Sequence, residues 1–124
     1  MLQSYKELIV WQKSVDLVER IYILTAEFPK EEIYGLVSQM RRAAVSIPSN
    51  IAEGKRRKDI PEYLQFLRIA DASSAELETQ IIIAKRLYPK LDYSKVNSLL
   101  EEVQKMLNVM MRKLDEKRLL KPKS

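Results

Sequence analysis

The residues that could support catalysis are carboxylates, because the 124-residue chain contains no histidine and no cysteine. It therefore lacks the usual general base and the commonest transition-metal ligand, and it can form neither disulfides nor thiolate metal sites. Glu53 and Glu76 could approach each other in a helical fold, but two carboxylates alone are weak support for acid–base chemistry. Glu78 is two positions from Glu76 and points elsewhere on a helix. We expect a protein that is not an enzyme and holds no metal or other cofactor.

Positive charge is concentrated in two parts of the chain. The net charge is +5, while Lys55–Lys58 contributes +4 and the segment 112–124 another +4, so the rest carries −3. Gly54 directly precedes the first cluster, but the glycine spacing and the strand of a phosphate-binding loop are missing, so Gly54 is expected to cap the C-terminus of a helix. Cations without aromatic neighbours favour contact with phosphate over recognition of bases. The alternative is that they complement helix dipoles and keep the protein soluble.

Apolar residues recur at steps of three and four along four segments, and the pattern predicts an all-α protein. Prolines 29 and 89 follow two of these segments, and Asp59, before Pro61, is typical of a helix start. Short links between long helices favour an antiparallel up-down-up-down four-helix bundle in one domain spanning 1–124. The expected helices cover about residues 7–28, 31–56, 60–88 and 93–118, followed by a frayed tail, Lys121–Ser124.

Bundle topology brings the two basic clusters together. In an up-down-up-down bundle the second and fourth helices end at the same pole, which should therefore be strongly basic. The expected phosphate contacts are Lys55, Arg56, Arg57, Lys58, Lys117, Arg118 and Lys121.

A polar stripe runs along the second helix beside its apolar face. We expect it to form a buried or intersubunit network that fixes helix register, although a solvated face is the alternative. An antiparallel third helix would place Arg42 near Ser74 to Glu78, which predicts an ion pair between Arg42 and Glu76 or Glu78. The network is expected to comprise Gln39, Arg42, Ser46, Asn50, Glu53, Glu76 and Glu78.

Pro48 lies inside the second predicted helix. Proline cannot donate an amide hydrogen and its ring crowds the carbonyl one turn earlier, so a bend is expected there. The bend would wrap the helix around its neighbours, with a hinge as the alternative. Neither role involves chemistry.

The N-terminal region has charges within its apolar part and no small-residue cleavage site, and no apolar run approaches the roughly 20 residues of a membrane span. We therefore expect a cytoplasmic protein that does not enter a membrane.

Four stretches give the chain a family resemblance: VWQK at 10–13, FPKEEIYGL at 28–36, QMRRAAVSIPSNIAEGKRR at 39–57 and FLRIADASSAELETQ at 66–80. The chain resembles the bacterial four-helix-bundle proteins encoded by intervening sequences of 23S ribosomal RNA genes. The likeness covers nearly the whole chain. Ala72 departs from it, since glycine is expected before the serine in many members.

The resemblance implies a homopentameric ring, related to the accessory variability protein of diversity-generating retroelements. That relative is similar to a basic barrel that engages nucleic acid and a reverse transcriptase. The resemblance implies no catalysis. We therefore expect a non-enzymatic homo-oligomer that binds RNA or DNA through its basic pole, possible partners being a reverse transcriptase or another nucleic-acid enzyme. The alternative is a scaffold that recruits a protein partner.

Overall fold

Residues 4–120 are described by a computed structural model, and they form an all-α bundle of four helices without any strand. The predicted fold class is therefore confirmed. A short 3-10 turn, Tyr5–Glu7, precedes the first helix, and a second one, Lys30–Glu32, is followed by a π-helical turn, Ile33–Val37. The helices are α1 (Ile9–Thr25), α2 (Ser38–Lys55), α3 (Ile60–Leu87) and α4 (Ser94–Leu120).

Side-chain caps account for the starts of α3 and α4. The Asp59 carboxylate accepts a hydrogen bond from the Glu62 amide at 2.8 Å, and Pro61 lies in the first turn, where its missing amide hydrogen costs nothing. The Asp92 carboxylate accepts from the amide and the hydroxyl of Ser94, at 2.9 and 2.7 Å. These bonds to Ser94 hold the pKa of Asp92 below its usual value.

Buried side chains from all four helices form the core. The α1 helix packs on α2 and α4, and α3 packs on the same two helices. The segment 32–54, which includes most of α2, runs antiparallel to α3: Glu32 contacts Tyr88, Ser46 contacts Ser73, and a Cβ on Gly54 would touch Tyr63. The most deeply buried side chains include Leu17, Ile21, Met40, Ile47, Leu67, Leu77, Val103 and Leu107.

The approach to α2 differs from the sequence expectation. Instead of beginning at residue 31, the regular helix begins at Ser38, because Gly35 has non-helical angles of φ −111° and ψ −112°. The Glu32 carboxylate accepts from the Leu36 amide at 3.3 Å and from the Tyr88 hydroxyl. Its oxygen would lie 2.9 Å from a Cβ on Gly35, so a larger residue there would displace the Glu32 side chain from this kink. The bond to Glu32 raises the pKa of Tyr88 to about 12.

Gly54 is not the helix cap that the sequence suggested. It is buried inside α2 and does not have a positive φ angle. A Cβ there would lie 2.9 Å from Tyr63 Cδ1, 3.0 Å from Phe66 Cβ and 3.2 Å from the Tyr63 carbonyl oxygen. The glycine therefore permits the close approach of α2 and α3. The α2 helix continues through buried Pro48, and the bend expected there stays a prediction.

Candidate nucleic-acid interface

A groove of about 900 Å³ lies where α2 ends, α3 begins and α4 passes. Four consecutive cations from the end of α2 and the α2–α3 link, and one from α4, line it: Lys55, Arg56, Arg57, Lys58 and Lys117. We call it the basic groove. Lys58 and Lys117 also line a smaller neighbouring depression with Asp59 and Leu120. Lys117, from the C-terminal cluster, therefore meets the Lys55–Lys58 cluster, about 60 positions earlier in the sequence, at one end of the bundle.

The other two predicted phosphate contacts are Arg118 and Lys121. The Arg118 guanidinium binds Asp115 at 2.6 Å, on the same helix, and Arg118 is not part of the groove lining. Lys121 lies outside the described residues, as does the tail that was expected to fray.

Arg57 has partners of its own. Its guanidinium binds the Glu53 carboxylate at 2.8 Å and lies 4.6 Å from the centre of the Phe66 ring. Both members of the ion pair are more than a third exposed, and exposed pairs contribute little to stability. Arg57 can therefore exchange Glu53 for a phosphate at small cost, while Phe66 keeps the guanidinium near the groove.

Asp59 is the one carboxylate in the groove lining. It caps α3, so its negative charge lies at the helix N-terminus, where the helix dipole favours an anion. The same position would otherwise attract a phosphate. Asp59 therefore opposes anion binding at this end of the groove while stabilising α3.

Two aromatic residues in the lining were missed by the sequence reasoning. Tyr5 lies on the 3-10 turn before α1. Ser4 caps this turn, and its hydroxyl accepts a hydrogen bond from the Lys6 amide at 3.2 Å. The Tyr5 ring packs edge-on against Trp11, with centroids 5.3 Å apart. Tyr63 is half-buried on α3, and burial raises its pKa. The groove lining also includes Ile60 and Leu114. The cations therefore share the groove with aromatic and apolar residues from the N-terminal turn, α3 and α4, which only tertiary packing brings together.

The polar stripe of α2 is only partly a network. The Ser46 and Ser73 hydroxyls share a hydrogen bond of 2.8 Å between α2 and α3. The Asn50 amide donates to the Ser46 carbonyl and hydroxyl, at 2.8 and 3.0 Å. Farther along, Glu53 binds Arg57 rather than α3, and Glu78 accepts a 3.4 Å hydrogen bond from Gln104 of α4.

The predicted ion pair of Arg42 with Glu76 or Glu78 is wrong. Among residues 4–120, no ion pair or hydrogen bond joins them, and Arg42 is exposed. A hydrated surface guanidinium gains little from such a pair. Instead Arg41 faces α1, where it donates to the Thr25 hydroxyl at 2.9 Å and lies 4.3 Å from the centre of the Tyr22 ring.

Arg42 and Glu76 nevertheless line one polar groove of about 480 Å³ between α2 and α3. Gln80, only 7% exposed, belongs to the same lining, and its side-chain oxygen has no hydrogen-bond partner within the described part of the chain. The remaining lining residues are Gln39, Ala43, Ser46 and Ser73.

A second stripe along α3 borders this polar groove. Its members alternate steps of four and three, as the buried seam of α3 does, so they share one helix face. Three of them are exposed apolar residues: Ile69 (42%), Ile83 (43%) and Leu87 (56%). We call the set the outer α3 stripe; it consists of Ile69, Ser73, Glu76, Gln80, Ile83 and Leu87.

The described residues contain no group of three or more side chains suited to hold a metal ion. Within the same range, no helix combines the length and apolar character needed to cross a membrane.

The fold and the basic groove define a class: small four-helix bundles with a cation-lined groove at one pole. Within this class, the chain belongs to the 23S rRNA-intervening sequence protein family, whose model matches residues 6–109. The family resemblance read from the sequence is therefore confirmed.

The chain is also similar to a crystal structure from Bacteroides thetaiotaomicron, described as a protein of unknown function from the S23 ribosomal protein family. The TM-score is 0.74 at 22% identity, over 83% of this chain and 98% of the other. This likeness supports the fold alone. No curated protein sequence is significantly similar to the chain.

Proposed function

We propose that this protein is a non-enzymatic accessory factor that binds nucleic acid through the basic groove. The observation that carries the proposal is the meeting of Lys55–Lys58 with Lys117 in one groove. Five cations against the single carboxylate of Asp59 give the groove an excess of positive charge, although the rest of the chain outside the two clusters is net negative. Such an asymmetric distribution attracts phosphate backbones without regard to sequence.

The test neutralises four cations at one pole of the bundle or at the other, without reversing any charge. One variant replaces Lys55, Arg56, Arg57 and Lys58 with glutamine. The control replaces four exposed cations at the opposite pole, Lys30, Lys85, Arg86 and Lys90, with the same loss of net charge.

Binding of a labelled RNA is measured by fluorescence anisotropy at 50 mM salt, after circular dichroism has shown that both variants are folded. The first variant should lose roughly ten- to hundredfold in affinity and the control less than about threefold, because short-range phosphate contacts outweigh net charge. Equal losses, or no loss, would overturn the proposal.

We further propose that the protein assembles with copies of itself through the outer α3 stripe. The stripe carries three exposed apolar residues, Ile69, Ile83 and Leu87, on one face of α3, and it adjoins the opposite charges of Arg42 and Glu76. A second copy can cover the apolar residues and pair with these charges. The family resemblance favours a pentamer, in which five basic grooves would act together and raise a weak single-site affinity.

Light scattering on the eluting peak of a sizing column tests the assembly. A pentamer has a mass of about 72 kDa, five times the 14.5 kDa of one chain. Ile83→Lys should dissociate it, while Ile82→Lys should not, because Ile82 is similarly exposed (52%) but lies on the other flank of α3. A monomeric wild type would refute the proposal, and so would equal behaviour of the two variants.

The alternative function is a scaffold that recruits a protein partner, and an apolar groove favours it. Leu8, Ile9, Met106, Val109 and Met110 line this groove of about 490 Å³ between the start of α1 and α4. Under this alternative, a pulled-down partner would survive high salt and nuclease, and Ile9→Lys would release it.

A further inference from the structure

The basic groove is more than a cationic surface. Its lining includes the rings of Tyr5 and Tyr63 and the side chains of Ile60 and Leu114, all of them half-buried. Tyr63 and Leu114 also pack against the core, and contact with phosphates alone would leave the exposed parts of this surface unused. Aromatic and apolar surface gains free energy when it covers a base, and a base can offer its face only where it is not stacked in a duplex.

Both rings are held in place by neighbours. Tyr5 packs edge-on against Trp11, and the Gln12 side chain donates to the Lys6 carbonyl at 2.9 Å, which ties the turn to α1. Tyr63 is packed against Gly54, whose missing Cβ leaves room for its ring. Rings that are already ordered lose little conformational entropy when a base stacks on them.

The size of the groove fits this kind of ligand. A volume of about 900 Å³ is in the range of sites for small organic molecules, which suits one or two nucleotides. Five cations line the same groove as the two rings, so phosphates and a base could be bound at one site.

We propose that the basic groove binds unpaired nucleotides of single-stranded RNA or DNA, with a base against Tyr5 and Tyr63 and the flanking phosphates on Lys55–Lys58 and Lys117. The proposal rests on the proposed function, which requires only that nucleic acid bind through these cations. It adds that the preferred ligand is a single strand, a loop or an end rather than a duplex.

The test compares three ligands with equal numbers of phosphates: a single strand, a duplex and a strand in which abasic sites replace the bases. Single strands of RNA and of DNA are both included, so that a contribution of the ribose hydroxyl is separated from stacking. The wild-type protein should bind single strands about tenfold or more tighter than the duplex or the abasic strand.

Two variants remove one ring each. Tyr5→Ala should weaken single-strand binding about tenfold and leave abasic binding unchanged, while Tyr5→Phe should bind as the wild type does. Tyr63→Leu keeps an apolar side chain against Gly54 but removes the flat ring, and should give the same selective loss. A 2-aminopurine base placed in the strand should lose fluorescence on binding to the wild type and less so with either variant.

Three outcomes would overturn the inference: equal affinity for the three ligands, equal losses for all of them in the tyrosine variants, or unchanged 2-aminopurine fluorescence on binding. Each leaves the proposed function intact provided that binding still depends on Lys55–Lys58. Absence of salt-dependent binding to every ligand would instead refute the proposed function itself.

Discussion

Replacing Gly54 with alanine tests the packing of α2 on α3, which forms one wall of the basic groove. An alanine Cβ would lie 2.9 Å from Tyr63 Cδ1, 3.0 Å from Phe66 Cβ and 3.2 Å from the Tyr63 carbonyl oxygen. The Tyr63 ring could rotate away, but the other two atoms are fixed to the α3 backbone. The two helices must therefore separate by a few tenths of an ångström.

The magnitude follows from two opposing effects. Overpacking of this kind costs about 1–3 kcal/mol, whereas alanine is a better helix former than glycine by about 1 kcal/mol. Gly54 lacks a positive φ angle, so alanine incurs no backbone strain to add to the cost. We expect Gly54→Ala to lower the free energy of unfolding by at most about 2 kcal/mol.

Urea denaturation followed by circular dichroism at 222 nm measures the change, at one fixed protein concentration because any assembly would shift the midpoint. Ala52→Gly, in the same turn, is the control, and should lose about 1 kcal/mol through helix propensity alone. A Gly54→Ala protein more stable than the wild type would refute the packing role, since propensity would then be the only effect present.

Three further predictions concern single side chains. Asp59→Asn keeps a good N-cap but removes the carboxylate from the basic groove. RNA affinity in anisotropy titrations should therefore rise about two- to fivefold, with little change in the free energy of unfolding. Unchanged affinity would count against a phosphate bound in this groove. The pKa of Tyr88 is raised to about 12 in the folded protein, against 10 in the unfolded chain. The hydrogen bond from Tyr88 to Glu32 therefore contributes fully to the stability of the fold below pH 10, and this contribution is lost as the pH rises from 10 to 12. Urea midpoints across that range should fall more steeply for the wild type than for Tyr88→Phe, and parallel curves would contradict this. Ser46→Ala should cost about 1 kcal/mol in the same assay, by removing the bridge between α2 and α3, and no loss would mean that the bridge is solvated.

The sequence was most informative where local chemistry decides the structure. Asp59 with Pro61 predicts the start of α3, and apolar spacing predicts the buried seams, because caps and periodicity act over a few residues. The convergence of Lys55–Lys58 with Lys117 followed from helix order and short links, without side-chain detail.

The errors occurred where a distant contact decides the role of a residue. Gly54 has the position of a helix cap in the sequence, and only the approach of Tyr63 and Phe66 shows that it serves packing. Arg41 and Arg42 are alike in sequence, and the rotation of α2 determines that Arg41 reaches α1. The place of Tyr5 in the groove likewise depends on tertiary packing rather than on its neighbours in the chain.

The central claim is that two cation clusters distant in sequence act as one phosphate-binding pole, and the salt dependence of binding tests it most directly. The measurement is the slope of log affinity against log salt for a single-stranded RNA, with the wild type, the glutamine variant of Lys55–Lys58 and Lys117→Gln. Each phosphate contact contributes about −0.7 to this slope. The wild type should have a slope of roughly −2 to −3.5 per groove. If Lys117 contacts a phosphate in the same site as Lys55–Lys58, Lys117→Gln should make this slope less steep by about 0.7. An unchanged slope in Lys117→Gln, or in the variant of Lys55–Lys58, would contradict the claim.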